Sequence, residues 1–360
     1  MNFTLPSHDL WEYLQGTKKT VVMYGMGNGA DKILRVCAQY GIEIADFFAS
    51  DGFVRGHSFH GKTVLSYSAT KEKYGADNLI VLLSFASARP EVLDTIRAVD
   101  AECELYAPDV PVFGDTLFTR AFFEEHREEF AAAYALLADG ESRRIFEEVI
   151  RYKLTGKISH LFAAENDKEA VYTDLLASAS ICSALDLGAY NGDTIRELLG
   201  YAPHLKRVFA MEPDRRNYRK LCEYGDGLSD TLDLHTVQAA AWSEETVLRF
   251  GDEGNRNASV SATGNATKIV EIAALSPDRF VGEHRLDYVK YDVEGAEREA
   301  LDGTREIILR DRPRLLVSLY HRSEDLYALP LQIYAMRPDY RFYLRRYPYI
   351  PAWDLNLICV

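Results

Sequence analysis

Four stretches of the chain combine the residue types that chemistry needs. In LDLGAYNGDT (185–194) an apolar run ends in a glycine-bearing turn that opens a helix. Gly188 and Gly192 let the backbone approach a ligand closely, and the helix start behind them offers unpaired amide donors. Asp186, at the carboxyl end of the run, can accept a hydrogen bond from a ligand's ammonium group. In VFAMEPD, Glu212 closes the next apolar run, where an acid is placed to accept both ribose hydroxyls of an adenosine. In KYDVEGAE (290–297), Lys290 and Asp292 are two apart and share one face of a strand. A charge inside a buried run is costly without a partner, so a purely structural Lys290–Asp292 ion pair stands beside the catalytic reading. In VSLYHR, His321 follows a further apolar run. Its ordinary pKa of about 6.5 suits a general base, whereas Asp292 and Glu294 would need raised values to serve.

The elements that must position these residues read as alternating strands and helices. After Ser180 the order is ICSALDLG, a helix to Gly200, KRVFAME, a helix through 217–223, LDLHTVQAAAW, LDYVKYDV, a helix over 296–309 and PRLLVSLY. A further helix and two strands, RFYLRR and LNLICV, follow. Buried strands flanked by helices predict an α/β fold with a parallel sheet covered on both faces, and the two final strands predict an antiparallel edge hairpin. In such a sheet the chemistry-bearing residues all fall at the carboxyl ends of the strands, where ligands bind.

The chain is long enough for two cores: 360 residues, 47% hydrophobic and 12% aromatic. The expected division is a Rossmann-like α/β unit at 1–107, a helical linker or lid at 108–180 and the main α/β domain at 181–360. The breaker-rich PDVPVFG marks the first boundary, and two helices joined at Asp139-Gly140 are expected over 119–156. With 41 basic and 55 acidic residues the net charge is −14, which repels nucleic acid and anionic lipid. The partner expected is therefore a small-molecule or glycan acceptor, with a homodimer as a possible assembly. The longest uncharged apolar runs are 10 and 11 residues, short of the roughly 20 that span a bilayer, so no membrane insertion is expected. Five scattered cysteines form no CxxC pair, and the first twenty residues lack the pattern of a secretory signal. A cytoplasmic location is expected.

The motifs LDLGAYNGDT, AMEPD, KYDVEGAE and LYH, in this order, together with LADGESRRIFEEVIRYKLTG (137–156), resemble the FkbM-type S-adenosylmethionine-dependent methyltransferases. The resemblance covers about 134–360 and implies a class I methyltransferase fold, Rossmann-like, with S-adenosylmethionine as cofactor. It implies that Asp186, Gly188, Ala189 and Gly192 line the methionine part, that Glu212 holds the ribose and that Ala241 and Trp242 flank the adenine. Asp292 would lie nearest the sulfonium, and Asn191, Asp193 and Pro213 complete the cofactor set. Two departures stand out: Tyr190 occupies a place where the family commonly has Asn, and AALSPDRF lacks an acid often seen there. Methyl transfer is an in-line displacement, so alignment carries much of the catalysis. His321 is the favoured base, with Asp292, Glu294 and Lys290 as the other catalytic candidates. No metal ligands are assigned, although Asp292 and Glu294 leave a divalent metal open.

The absence of NPPY or DPPY leaves oxygen as the expected acceptor atom, and RPDYRFYLRRYPY (337–349) suits a glycan or nucleotide-linked sugar through aromatic stacking and guanidinium contacts. The expected activity is O-methylation of a carbohydrate, glycan precursor or related natural product. At the other end, VVMYGMGNGA places Gly25, Gly27 and Ala30 in dinucleotide-turn spacing, with Asp51 further on. With GHSFHGKTVLS, this segment is similar to the Rossmann-like domain preceding sugar acetyltransferases. Two rivals follow: a nucleotide-sugar oxidoreductase working through Gly25, Gly27 and Asp51, and a non-catalytic methyltransferase-like scaffold in glycan assembly.

Overall fold

The computed structural model describes residues 4–54, 56–228, 230–251 and 269–360. The first sheet contains five strands: β1 (Thr20–Tyr24), β2 (Phe47–Ala49), β3 (Leu65–Ser66), β4 (Leu79–Leu83) and β5 (Glu104–Tyr106). They lie in the order β3-β2-β1-β4-β5, and all pairs are parallel. LIVLL of β4 is buried at every position, as a central parallel strand with helices on both faces must be.

The second sheet has seven strands: β6 (Ser183–Leu187), β7 (Arg207–Met211), β8 (Asp233–Val237), β9 (Tyr288–Tyr291), β10 (Arg314–Ser318), β11 (Phe342–Arg346) and β12 (Leu355–Cys359). Their order is β8-β7-β6-β9-β10-β12-β11. The first five are parallel, and β12 inserts antiparallel between β10 and β11. The edge hairpin expected from the sequence is present, with the last strand on its inner side. Period-two alternation sends Leu185, Leu187, Val289, Tyr291, Leu315 and Val317 into one core, while Ala184, Tyr288, Leu316 and Ile358 enter another on the opposite face. Asp186 and Lys290 lie on that second face and are register partners on neighbouring strands.

Three helices, not two, occupy 120–155: Arg120–Glu125, Arg127–Leu136 and Gly140–Thr155. The chain leaves the helix at His126 (φ −104°, ψ 21°), and the rings of Phe118, Phe122 and Phe130 gather around this break. The helix Gly140–Thr155 starts on Asp139, which accepts from the Ser142 amide, and ends at left-handed Gly156. It ties the two sheets together: Ser142 Oγ accepts from Leu344 N of β11, and Gly156 O accepts from Ala107 N just after β5. The helix expected over 296–309 is also divided, into Glu297–Gly303 and Arg305–Asp311. Thr304 ends the first part by donating its hydroxyl toward the Ala300 and Leu301 carbonyls. A small sheet of Ala240–Ala241, Thr246–Gly251 and Ile269–Leu275 was not legible as a unit in the sequence.

Candidate active site

A cavity of about 630 Å³ opens over the second sheet, at the carboxyl ends of β6, β7, β9 and β10. This is the crevice position for a ligand in an open α/β sheet, and the volume suits a cofactor-sized molecule. Its wall is made by Gly188, Tyr190, Asp193 and Thr194 after β6, and by Glu212, Pro213, Asp214 and Asn217 after β7. Ala240 and Ala241, then Lys290, Asp292, Val293 and Glu294 of β9 and its turn, continue it. Of the residues expected from the sequence, Gly188, Asp193, Glu212, Pro213, Ala241, Lys290, Asp292 and Glu294 stand together on this wall.

Glu212 is nearly buried, and its two oxygens accept from the amides of Tyr190 (2.7 Å) and Asp214 (2.8 Å). These bonds fix the carboxyl at the end of β7 and lower its pKa, but burial outweighs them and lifts it to about 7. Gly188 is required twice over: its φ is +82°, and a Cβ there would lie 1.9 Å from the Asp292 carbonyl oxygen. The glycine lets the ends of β6 and β9 meet. Gly192 also has φ +82°, and a Cβ would press on the Tyr224 ring at 2.5 Å, so its role is packing rather than lining.

Besides Gly192, five residues expected at the site stand off the cavity wall. Asp186 has both oxygens enclosed without a hydrogen-bond donor, 3.7 Å from Lys290 Nζ, and faces the lysine rather than the cavity. Burial lifts its pKa to about 6 against the pull of Lys290. Ala189 and Asn191 lie off the wall, Ala189 fully buried and Asn191 with its Oδ1 enclosed. Trp242 is also off the wall: its amide bonds to Leu275 O and its ring packs on Ala240 and Ala274. His321 is 0% exposed and does not reach the cavity.

His321 sits inside a ring of carboxylates. Nδ1 is 2.8 Å from Glu297 Oε1, and Nε2 is 3.6 Å from both Asp292 Oδ1 and Glu294 Oε2. Burial alone would depress its pKa, but these three acids overcome that and raise it to about 10, so the ring is an imidazolium at neutral pH. A buried imidazolium has no free site for a proton, which removes His321 as the general base. Burial opposes ionisation of Asp292, yet Lys290 and His321 hold its carboxyl below the usual range. Lys290 Nζ lies 3.4 Å from Asp292 Oδ2, so the structural ion pair exists and also faces the cavity.

Glu294 differs from these acids. It adopts φ +54° in the Val293–Gly295 turn, a left-handed conformation uncommon for a non-glycine residue, and it lines the cavity. Its carboxyl lies 3.6 Å from His321 Nε2. Burial raises its pKa to about 7, with Asp292 and Glu297 adding to the rise and His321 opposing it. Among the described residues Asp292, Glu297 and His321 bring potential metal-ligand atoms within 4.8 Å of one another. However, Asp292 and Glu297 face opposite ring nitrogens, and their nearer oxygens already accept from Tyr320 OH (2.9 Å) and Val293 N (3.0 Å). The cluster therefore reads as an ion network balanced by the imidazolium.

The opposite wall was anticipated only in part. Tyr320, Tyr347, Tyr349, Trp353, Asp354 and Asn356 line the cavity from the loops after β10 and around β12. Tyr347 and Tyr349 close the segment 337–349 singled out for aromatic and guanidinium contacts, whereas Trp353, Asp354 and Asn356 lie just beyond it. The arginines of that segment do not line the cavity. Arg345 pairs with Asp139 at 2.6 Å, Arg346 is buried and donates to the Leu161 and Tyr349 carbonyls, Arg337 pairs with Asp339, and Arg341 lies over the Tyr343 ring. Val112 completes this side. Lys32 donates to the carbonyls of Pro111 and Val112, and Phe113 N bonds to His321 O. Ser87 and Ile350 exchange two backbone hydrogen bonds, so the first sheet also supports the aromatic loop.

In the first sheet, Gly25 (φ +110°) and Gly27 (φ +93°) form the turn after β1, and Ala30 is buried behind it. Asp51 accepts from the amide and hydroxyl of Ser68, at 3.0 and 2.5 Å, and so supports the helix Tyr67–Tyr74. The acid that the dinucleotide reading needs is already engaged.

The seven-stranded sheet, with its inserted antiparallel last strand and a cavity at the glycine turn and Glu212, defines a class I methyltransferase fold. Residues 186–349 match the methyltransferase FkbM domain, and the chain is an S-adenosylmethionine-dependent methyltransferase. The crystal structure of methyltransferase FkbM from Methylobacillus flagellatus KT is similar over 96% of this chain and 91% of that one, with a TM-score of 0.71 and 22% identity. An rRNA methylase from Streptococcus thermophilus aligns with TM-score 0.35 and 13% identity, covering 54% of this chain and 96% of that one. Fibrillarin from Aeropyrum pernix, with natively bound S-adenosyl-L-methionine, aligns with TM-score 0.30 and 14% identity over 49% of this chain and 66% of that one. No curated protein matches the chain significantly. Among the described residues no helix is long and apolar enough to cross a membrane.

Proposed function

We propose that the protein methylates a hydroxyl oxygen of a small carbohydrate, glycan precursor or related natural product, with Glu294 as the general base. The observation that carries this reading is the Glu294 carboxyl: it lines the cavity, and its pKa of about 7 matches what a base needs near neutral pH. The cofactor fits the wall. Glu212 stands where an adenosine ribose would be held, Ala240 and Ala241 give an apolar strip for a base, and Asp193 and Thr194 line the cavity at the start of a helix. When bound, S-adenosylmethionine supplies an electrophilic methyl group on a cationic sulfur. Lys290 and Asp292 pair at 3.4 Å on the cavity wall and orient each other toward it. As the acceptor oxygen takes the methyl group, its proton passes to the Glu294 carboxylate. His321 positions that carboxylate from behind and balances the charge of Asp292 and Glu297.

A carbohydrate acceptor is supported by the aromatic side of the cavity, where Tyr320, Tyr349 and Trp353 offer faces for a sugar ring. A second ligand held by the first domain is part of the same proposal, with the turn at Gly27, where a Cβ would meet nothing, as its place. Free cysteines at 37, 103, 182, 222 and 359 accord with a reducing, cytoplasmic setting. The test is the pH dependence of methyl transfer from labelled S-adenosylmethionine by wild-type protein and Glu294→Gln. Loss of the ascending limb near pH 7 in the variant is expected; an unchanged profile would remove Glu294 from the reaction.

A further inference from the structure

One carboxylate of the cavity wall has no ion-pair partner among the described residues. Asp354 has φ +58° in the loop that leads into β12, lines the cavity, and forms no ion pair among the described residues. Its backbone carbonyl is occupied, accepting from Tyr347 N (3.1 Å) and Asn356 Nδ2 (3.0 Å), which pins the residue while leaving the side chain free. Burial raises its pKa, with Asp292 and Glu197 adding to the rise and the more distant Lys168 and Lys290 opposing it. Lys168, on the same wall, pairs with Glu197 at 2.9 Å and lies over the Tyr347 ring at 4.9 Å.

Beside Asp354 the aromatic rings form a wall: Trp353 stacks with Tyr320 at 6.3 Å between centroids and leans on Tyr349 at 5.6 Å. Seven carboxylic acids and two lysines line the whole cavity, and both lysines are paired. Such a site repels phosphate and carboxylate, and the cofactor carries only one net positive charge into it. Aromatic faces beside an unpaired carboxylate are the recognition chemistry of an organic cation.

Resting on the reading that this cavity seats the methyl acceptor, we infer that the acceptor carries a protonated amine, as an amino sugar or other amine-bearing polyol does, with the ammonium held by Asp354 against the Trp353–Tyr349 faces. Nucleotide-linked and phosphorylated sugars are thereby disfavoured as acceptors in this cavity.

The test uses the full chain saturated with S-adenosylhomocysteine and titrated with glucosamine, N-acetylglucosamine and glucose 6-phosphate, followed by calorimetry and saturation-transfer NMR. These probes share a ring and differ in charge. Glucosamine should bind about tenfold more tightly than N-acetylglucosamine, and glucose 6-phosphate should bind weakest. Asp354→Asn, whose side chain tolerates the left-handed backbone, should abolish the difference, and Trp353→Leu should weaken glucosamine while S-adenosylhomocysteine still binds. Absent binding of glucosamine, equal binding of the acetylated ring, or a preference that survives Asp354→Asn would overturn the inference. Failure of S-adenosylhomocysteine to bind the wild-type chain would instead strike the methyltransferase reading itself.

Discussion

Glu297 Oε1 lies 2.8 Å from His321 Nδ1, with both residues almost wholly buried, at 1% and 0% exposure. The pair joins the helix after β9 to the loop after β10 and places a cation behind the acids that face the cavity. His321→Gln leaves Glu297, Glu294 and Asp292 without that cation, and the predicted loss of stability is about 3–5 kcal/mol in chemical unfolding. Because the folded pKa of His321, about 10, is above its ordinary value, its contribution is full below about pH 6.5 and is lost as pH rises through 10. Wild-type stability should therefore fall across that window, and the fall should be smaller in the variant.

A base must be ionised to act, so kcat/KM for the acceptor should rise with pH through about 7 and level off above it. Glu294→Gln should lower the rate by roughly 10²- to 10⁴-fold and flatten this limb. Retained binding of S-adenosylhomocysteine by the variant would show that the loss is chemical.

Reading the acids around His321 as an ion network predicts that EDTA leaves methyl transfer unchanged and that added Mg²⁺ or Mn²⁺ does not accelerate it. Inactivation by the chelator with recovery on adding one of these ions would show that Asp292, Glu297 and His321 form a metal centre instead.

Gly188→Ala places a Cβ 1.9 Å from the Asp292 carbonyl at a residue with φ +82°. The left-handed strain alone costs about 1–2 kcal/mol, and the collision between the ends of β6 and β9 adds to it. Thermal unfolding should drop accordingly, with cofactor affinity falling because Asp292 and its turn must move.

Much of the fold was legible because buried parallel strands read as uninterrupted apolar runs, as in LIVLL at 79–83, and because glycines mark the turns after β1 and β6. Helix breaks at His126 and Thr304 were not, since neither residue is a strong breaker; packing of the Phe118–Phe130 rings and the side-chain bonds of Thr304 decide them. Within the site, Glu212 and the Lys290–Asp292 pair were readable from strand ends and period-two spacing. The burial of His321 and the place of Glu294 on the cavity wall were not. Asp292, Glu294 and Glu297 share one short stretch, but the imidazole they surround comes from the loop after β10, and no local spacing reveals that meeting. Asp354 and Trp353 escaped for a related reason: they reach the cavity only because β12 inserts between β10 and β11.

The most direct test of the account is calorimetric titration of the chain with S-adenosylmethionine, with NADH and NADPH as comparators, for wild type and Glu212→Ala. Binding of S-adenosylmethionine alone is predicted, weakened in the variant by about 1.5–3 kcal/mol, the range for a hydrogen bond to a charged group. Undiminished affinity in Glu212→Ala, or binding of NADH or NADPH alone, would contradict the cofactor site described above the second sheet.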